Sequence, residues 1–157
     1  MLKKIEWKKL ILCILLPLFV GGLSALLSMT GSDLYETIGK PELSPPSWLF
    51  GVVWPILYIL MGISSYMICV SGSPKSREAL RVYAIQLVFN FIWPLVFFAA
   101  GAFLPAFVLL CALWITVLVM ISKFCDIKPL AAYLQIPYLL WLTFAGYLNF
   151  MIYILNR

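Results

Sequence analysis

Long apolar runs alternate with short polar links along the chain. The runs cover about 10–28, 50–70, 80–100, 103–122 and 130–155. Each is close to the ~20 residues that a helix needs to cross a bilayer. None shows the ~10-residue alternating segments of a membrane β-strand. In hydrocarbon only helices or closed barrels satisfy every backbone group. The pattern therefore predicts an all-α integral membrane protein, a five-transmembrane-helix bundle forming one domain over 1–157.

The links carry their own signals. Residues 29–49, MTGSDLYETIGKPELSPPSWL, form the longest polar stretch, and Gly31, Gly39, Pro41, Pro45 and Pro46 forbid one continuous helix there. SGSPKSRE separates the second and third runs, Gly101-Ala102 the third and fourth, and 123–129 the fourth and fifth. Pro94 predicts a kink in the third span, and Pro137 lies about two turns into the fifth. The first run follows Lys3, Lys4, Lys8 and Lys9, as in a signal peptide. It is long for that, and Gly22-Leu23-Ser24-Ala25 is a poor cleavage site, so an uncleaved first helix is expected.

Composition agrees with this reading. The 157 residues are 64% hydrophobic and only 11% charged, against about 25% charged in soluble domains. A soluble fold of this size has no core large enough for so much apolar surface. The net charge of +5 does not point to nucleic acid, because the basic residues lie at or beyond the ends of the runs. Nine of them fall in the N-terminal segment and the links 71–79 and 123–129, extended to Arg81 at the start of the third span; Lys40 and Arg157 lie on the other side. By the positive-inside rule the N-terminus and those two loops are cytoplasmic, with loop 29–49 and the C-terminus outside.

The chain has no histidine, and Cys13, Cys69, Cys111 and Cys125 are scattered without a C-x-x-C pair. No metal site is expected, and the cysteines read as small packing residues. No Asp, Glu, Lys or Arg lies mid-span. That argues against ion-coupled transport, and no conventional catalytic constellation exists.

Aromatic and amide side chains hold the remaining chemistry. Tyr83, Gln86 and Asn90 share a face of the third helix. Gln86 and Asn90 read either as hydrogen-bonding glue between helices or as the polar contacts of a ligand pocket. Trp54, Tyr58, Met61 and Ser65 make a stripe on the second helix, and Tyr138, Trp141, Ala145 and Asn149 a broad face on the fifth. Trp48 and Trp114 fit an interfacial belt, whereas Trp54 and Trp141 lie deeper, where an indole N–H needs a partner. A cavity walled by aromatics suits a large, flat, mostly apolar molecule.

Three stretches resemble the TspO/MBR family of tryptophan-rich sensory proteins and translocator (peripheral benzodiazepine receptor) proteins. The first is Lys40-Pro41 through Pro45-Pro46-Ser47-Trp48 to Trp54-Pro-Ile-Leu-Tyr58 and Met61-Gly62. The second runs Tyr83, Gln86-Leu87, Asn90, Trp93-Pro94, Phe97-Phe98, and the third Pro137-Tyr138, Trp141-Leu142, Phe144-Ala145, Leu148-Asn149. The resemblance implies a homodimeric five-helix receptor in a bacterial cell membrane. Its ligands would be tetrapyrroles such as protoporphyrin IX or haem, sterols and benzodiazepine-like compounds, with no separate cofactor.

Carried over by motif, the ligand-binding residues are Trp54, Tyr58, Gln86, Asn90, Tyr138, Trp141, Ala145 and Asn149, with Pro45, Pro46 and Trp48 in a lid. Some members are reported to degrade protoporphyrin with light and oxygen, and Trp54 and Trp141 are the matching tryptophans. A transporter of porphyrins or sterol-like molecules is the alternative. The chain departs from the family pattern at Glu42 and Leu43, which replace a lid tryptophan, and at Leu109, where many members carry an acid. The sterol motif is met only loosely, by Leu148, Tyr153 and Arg157.

Overall fold

Pro94 and Pro137 mark helix irregularities in this chain, whereas Pro17 and Pro55 are carried inside continuous helices, and glycine sets how closely helices meet. The computed structural model describes residues 5–29 and 33–157; Lys3, Lys4 and Gly31, used above, lie outside the described residues. The spans are α1 (Trp7–Ser28), α3 (Ser47–Cys69), α4 (Ser76–Pro94, continued by a π turn Leu95–Ala99), α5 (Phe103–Ile127) and α7 (Ile136–Leu155). Short helices α2 (Leu34–Thr37) and α6 (Pro129–Tyr133) lie in the first loop and before α7. Among the described residues five helical segments are long and apolar enough to cross a membrane. The protein is an all-α, multi-pass membrane protein.

Several boundaries differ from the sequence pattern, and α3 and α4 begin at Ser47 and Ser76 rather than near 50 and 80. α1 begins at Trp7, α5 runs on to Ile127, and the fifth segment is divided by a turn at 134–135. The division has a local cause. Pro137 has no N–H to donate, which is without cost in the first turn of a helix, where that N–H would have no intrahelical partner. α7 accordingly starts at Ile136, with Pro137 at its second position.

Pro94 acts similarly on α4. The N–H of Leu95 reaches the carbonyl of Ile92, and the wider π turn follows. The Phe91 carbonyl accepts a 2.7 Å hydrogen bond from Ser24 Oγ of α1. The helix irregularity thus becomes a tie between two spans.

Around the bundle, α1 packs against α3 and α4, α4 against α5, and α5 against α7. Edge contacts of Trp54 with Tyr138 and Phe50 with Trp141 close the ring between α3 and α7. The α1–α3 crossing is very close: a Cβ on Gly62 would stand 2.4 Å from the Ile14 Cα. Small residues permit such backbone approach where lipid supplies no hydrophobic drive between helices.

The basic segments meet at one end of the bundle, where the Glu6 N–H donates to Tyr66 Oη, Lys75 faces Asp126, and Lys123 pairs with Glu78. The first loop and the end of α7 share the opposite end, where Gly39 and Asn156 exchange two 2.9 Å hydrogen bonds. Leucines, isoleucines and phenylalanines of the spans, such as Leu12 and Phe19, face outward. On a soluble protein this surface would be an aggregation liability; here it meets acyl chains.

Candidate functional site

A cavity of about 390 Å³ lies at the loop end, between α1, α3 and the C-terminal part of α4. That is within the ~300–1,000 Å³ of small-molecule sites. Its wall is apolar and aromatic: Leu18 and Gly21 of α1, Phe50, Trp54 and Tyr58 of α3, Trp93 and Phe98, and Tyr35 from the loop. Six of its lining residues are exposed and flank its mouth, Gly22 and Ala25 of α1 with Met29 just after it, and Ser47, Gly51 and Pro55 of α3. Among the described residues nothing stands within 4 Å of a Cβ built on Gly22 or Gly51. The mouth therefore opens sideways, on the lipid-facing surface.

The floor is Tyr58, whose position depends on Gly21. A Cβ at Gly21 would meet the Tyr58 ring at 2.1 Å, so only glycine leaves the ring its place. Trp54 stacks on Tyr58 at 5.5 Å and an interplanar angle of 27°. Beneath the floor runs a directional hydrogen-bond chain. Tyr58 Oη donates to Asn90 Oδ1 at 2.8 Å, Asn90 Nδ2 to Tyr138 Oη at 2.9 Å, and Tyr138 Oη to Gln86 Oε1 at 2.9 Å. Gln86 Nε2 ends the chain on Met61 Sδ at 3.9 Å. Unpaired polar groups are costly away from water, and these four side chains satisfy one another across α3, α4 and α7.

The motif-derived residues therefore fall into groups. Trp54 and Tyr58 line the cavity. Gln86, Asn90 and Tyr138 lie below it, buried and joined to it through the Tyr58 hydroxyl. Ala145 and Asn149 border a second cavity of about 20 Å³ near α7. Both amide atoms of Asn149 are engaged, Oδ1 accepting from Trp93 Nε1 at 3.1 Å and Nδ2 donating to the Phe103 carbonyl at 2.8 Å. Trp141 meets the edge of Phe50 at 5.8 Å, and its buried Nε1 has no hydrogen-bond partner among the described residues.

Of the lid residues, Pro45 offers its carbonyl to Tyr35 Oη at 2.9 Å, and Pro46 caps α3 in extended conformation. Trp48 sits in the first turn of α3 rather than in the loop, 66% exposed.

Several wall residues were not singled out from sequence as site residues. Trp93 stands in the second motif beside Pro94, and that was its signal. Gly21, Gly22 and Ala25 form a stripe of small residues that equally fits a helix–helix seam. Tyr35 gave only the weak sign of an aromatic in a polar loop. It is buried, edge-on to Phe50 at 5.4 Å, with the Lys40 ammonium 4.4 Å above its ring. Burial pushes the Tyr35 phenol above its ordinary pKa, which keeps it a donor to Pro45.

Comparison with known proteins identifies relatives along nearly the whole chain. A family model described as the TspO/MBR family matches residues 13–155. The tryptophan-rich protein TspO of Chlorobaculum tepidum is 39% identical over 150 residues, covering 94% of this chain and 95% of that protein. The tryptophan-rich sensory protein of Cereibacter sphaeroides is 35% identical over 118 residues, covering 75% and 73%. The translocator protein of Sus scrofa is 36% identical over 139 residues, covering 85% and 82%.

Proposed function

The chain belongs to the TspO/MBR family, and from that premise we propose that it is a membrane receptor for porphyrins and related flat, hydrophobic molecules. The observation that supports this reading is the aromatic cavity between α1, α3 and α4, with Trp54 stacked on Tyr58 in its wall. A macrocycle gains from aromatic faces that stack on it and from few, fixed polar groups. The sideways mouth suits a ligand already dissolved in the bilayer. The nine-to-two bias of basic residues supports, as part of this reading, a loop and cavity on the outer side of a bacterial cell membrane. A homodimer is part of the same reading.

Light-driven porphyrin loss is a second facet, favoured by the place of Trp54. An excited porphyrin against that electron-rich indole can accept an electron from it. Trp141 lies behind Phe50 and is the weaker donor. A transporter reading lacks a mid-span charge to couple flux to a gradient.

The test is titration of the purified protein with protoporphyrin IX, followed by quenching of tryptophan emission in the dark and by loss of porphyrin absorbance in the light. Saturable quenching is expected, with photochemical loss reduced more by Trp54→Phe than by Trp141→Phe. Quenching that never saturates would remove the receptor reading. Concentrative flux through vesicles would replace it with transport.

A further inference from the structure

The two cavities share a wall. Among the described residues Tyr35, Phe50, Trp93 and Phe98 border both. Three of the four are fixed by the spans. Phe50 is carried by α3, and Trp93 by α4, where it stacks on Phe97 at 5.3 Å and donates to Asn149. Phe98 belongs to the π turn and meets Trp93 edge-on at 6.1 Å.

Tyr35 is the member of the wall carried by the loop. Its helix has only four residues, too short to hold its own shape. The ring is placed by tertiary contacts instead: the hydroxyl on the Pro45 carbonyl, the edge of Phe50, and Lys40 above it. The loop behind it is pinned to the end of α7 by the paired Gly39–Asn156 bonds.

From this arrangement we infer that Tyr35 sets the length of ligand the site accepts. Its ring is one of the four that separate the 390 Å³ cavity from the space beside α7, which holds only about 20 Å³, room for a single water-sized group. With the ring in place, a compact flat molecule lies over Trp54 and Tyr58. A longer one reaches Ala145 and Asn149 only when the Tyr35 ring gives way, because of the four it alone is carried by the loop while Phe50, Trp93 and Phe98 stand on membrane-spanning segments. The partition thus joins residues that the motifs group together and the cavities separate. The inference deepens the receptor reading and rests on it only for naming a tetrapyrrole as the long ligand.

The test uses flat amino-arenes of increasing length, 1-aminonaphthalene, 2-aminoanthracene and 6-aminochrysene, titrated into the full-length protein, Tyr35→Phe and Tyr35→Ala. Probe fluorescence gives each affinity. For Tyr35→Ala the affinity for the longest probe relative to the shortest should rise about tenfold, a ratio change of the size one aromatic contact supplies. Tyr35→Phe keeps the ring and should leave the ratio near wild type.

A melting temperature in detergent near that of wild type reports that the variant is folded. A loss by one common factor for all three probes would overturn the inference, leaving Tyr35 a prop of the loop. Equal ratio shifts in the two variants would overturn it too, by assigning the effect to the hydroxyl. Protoporphyrin IX is titrated in parallel. If wild type fails to bind it saturably, the tetrapyrrole reading falls while the amino-arene series still decides the role of Tyr35.

Discussion

The two ends of the bundle are built differently. Toward the basic end, α3, α4, α5 and α7 enclose side chains such as Met61, Phe124 and Met120 with no exposure at all. At the loop end, α1 leans on α3 and α4 with a cavity at its side, and along its membrane-spanning stretch as a whole α1 is only 17% buried, against 39% for α3. The hydrogen-bond chain from Tyr58 to Gln86 marks the transition between them. A membrane protein gains little from hydrophobic collapse between helices, so close packing and polar ties must hold one end together. That leaves the other end free to stay open toward lipid.

The largest effect is expected from Gly62→Leu, which attacks the closed end. Its side chain would have to displace the α1 backbone at Ile14, and backbone cannot yield as a side-chain tip does. Destabilisation at or above about 3 kcal/mol is expected, read as a lower melting temperature in detergent and loss of the monodisperse peak. A variant that melts like wild type would show that α1 is not held by this crossing.

Asn90→Ala removes the middle of the polar chain. It leaves the Tyr58 hydroxyl without its acceptor and the Tyr138 hydroxyl without its donor. A cost of about 1–3 kcal/mol is expected, together with weaker ligand binding because Tyr58 loses its anchor. Stability unchanged with binding lost would instead place Asn90 in direct contact with ligand.

Gly21→Ala separates the two ends more finely. The added methyl claims the space of the Tyr58 ring, which can swing into the cavity at modest cost. Protoporphyrin IX affinity should fall by about tenfold, roughly 1.4 kcal/mol, while melting moves less than in Asn90→Ala. The reverse ranking would mean that Tyr58 serves the core before the cavity.

Trp48→Ala should do least. The ring is mostly exposed on the first turn of α3, and changes at such sites usually stay within about 0.5 kcal/mol. A large loss of ligand affinity would support the lid role that the motif suggested for Trp48.

Much of the candidate site was legible because helical spacing is rigid. Residues three and four apart share a face wherever the helix lies, so Gln86 with Asn90 and Ala145 with Asn149 could be grouped before any contact was known. Spacing along one helix says nothing about rotation between helices. Which face meets which neighbour depends on crossings such as Gly62 on Ile14, and those crossings turned Gln86 and Asn90 toward Tyr138 and Tyr58. Tyr35 escaped notice for a related reason: a loop has no period, so nothing local says that its aromatic ring turns inward.

The chain's own composition and pattern determined its solvent, its five helices and the grouping of its polar residues, because twenty-residue apolar runs and backbone hydrogen bonding leave a bilayer-spanning chain few alternatives. The turn before Pro137 and the π turn after Pro94 use the missing N–H of proline, but Pro17 and Pro55 sit in unbroken helices, so the surroundings decide which proline interrupts its helix. The tertiary structure alone decided that the amides satisfy one another, that Trp54 faces the cavity while Trp141 stands behind Phe50, and that Tyr35 divides two spaces. Those outcomes depend on contacts between residues distant in sequence, where a shift of an ångström between helices exchanges one partner for another.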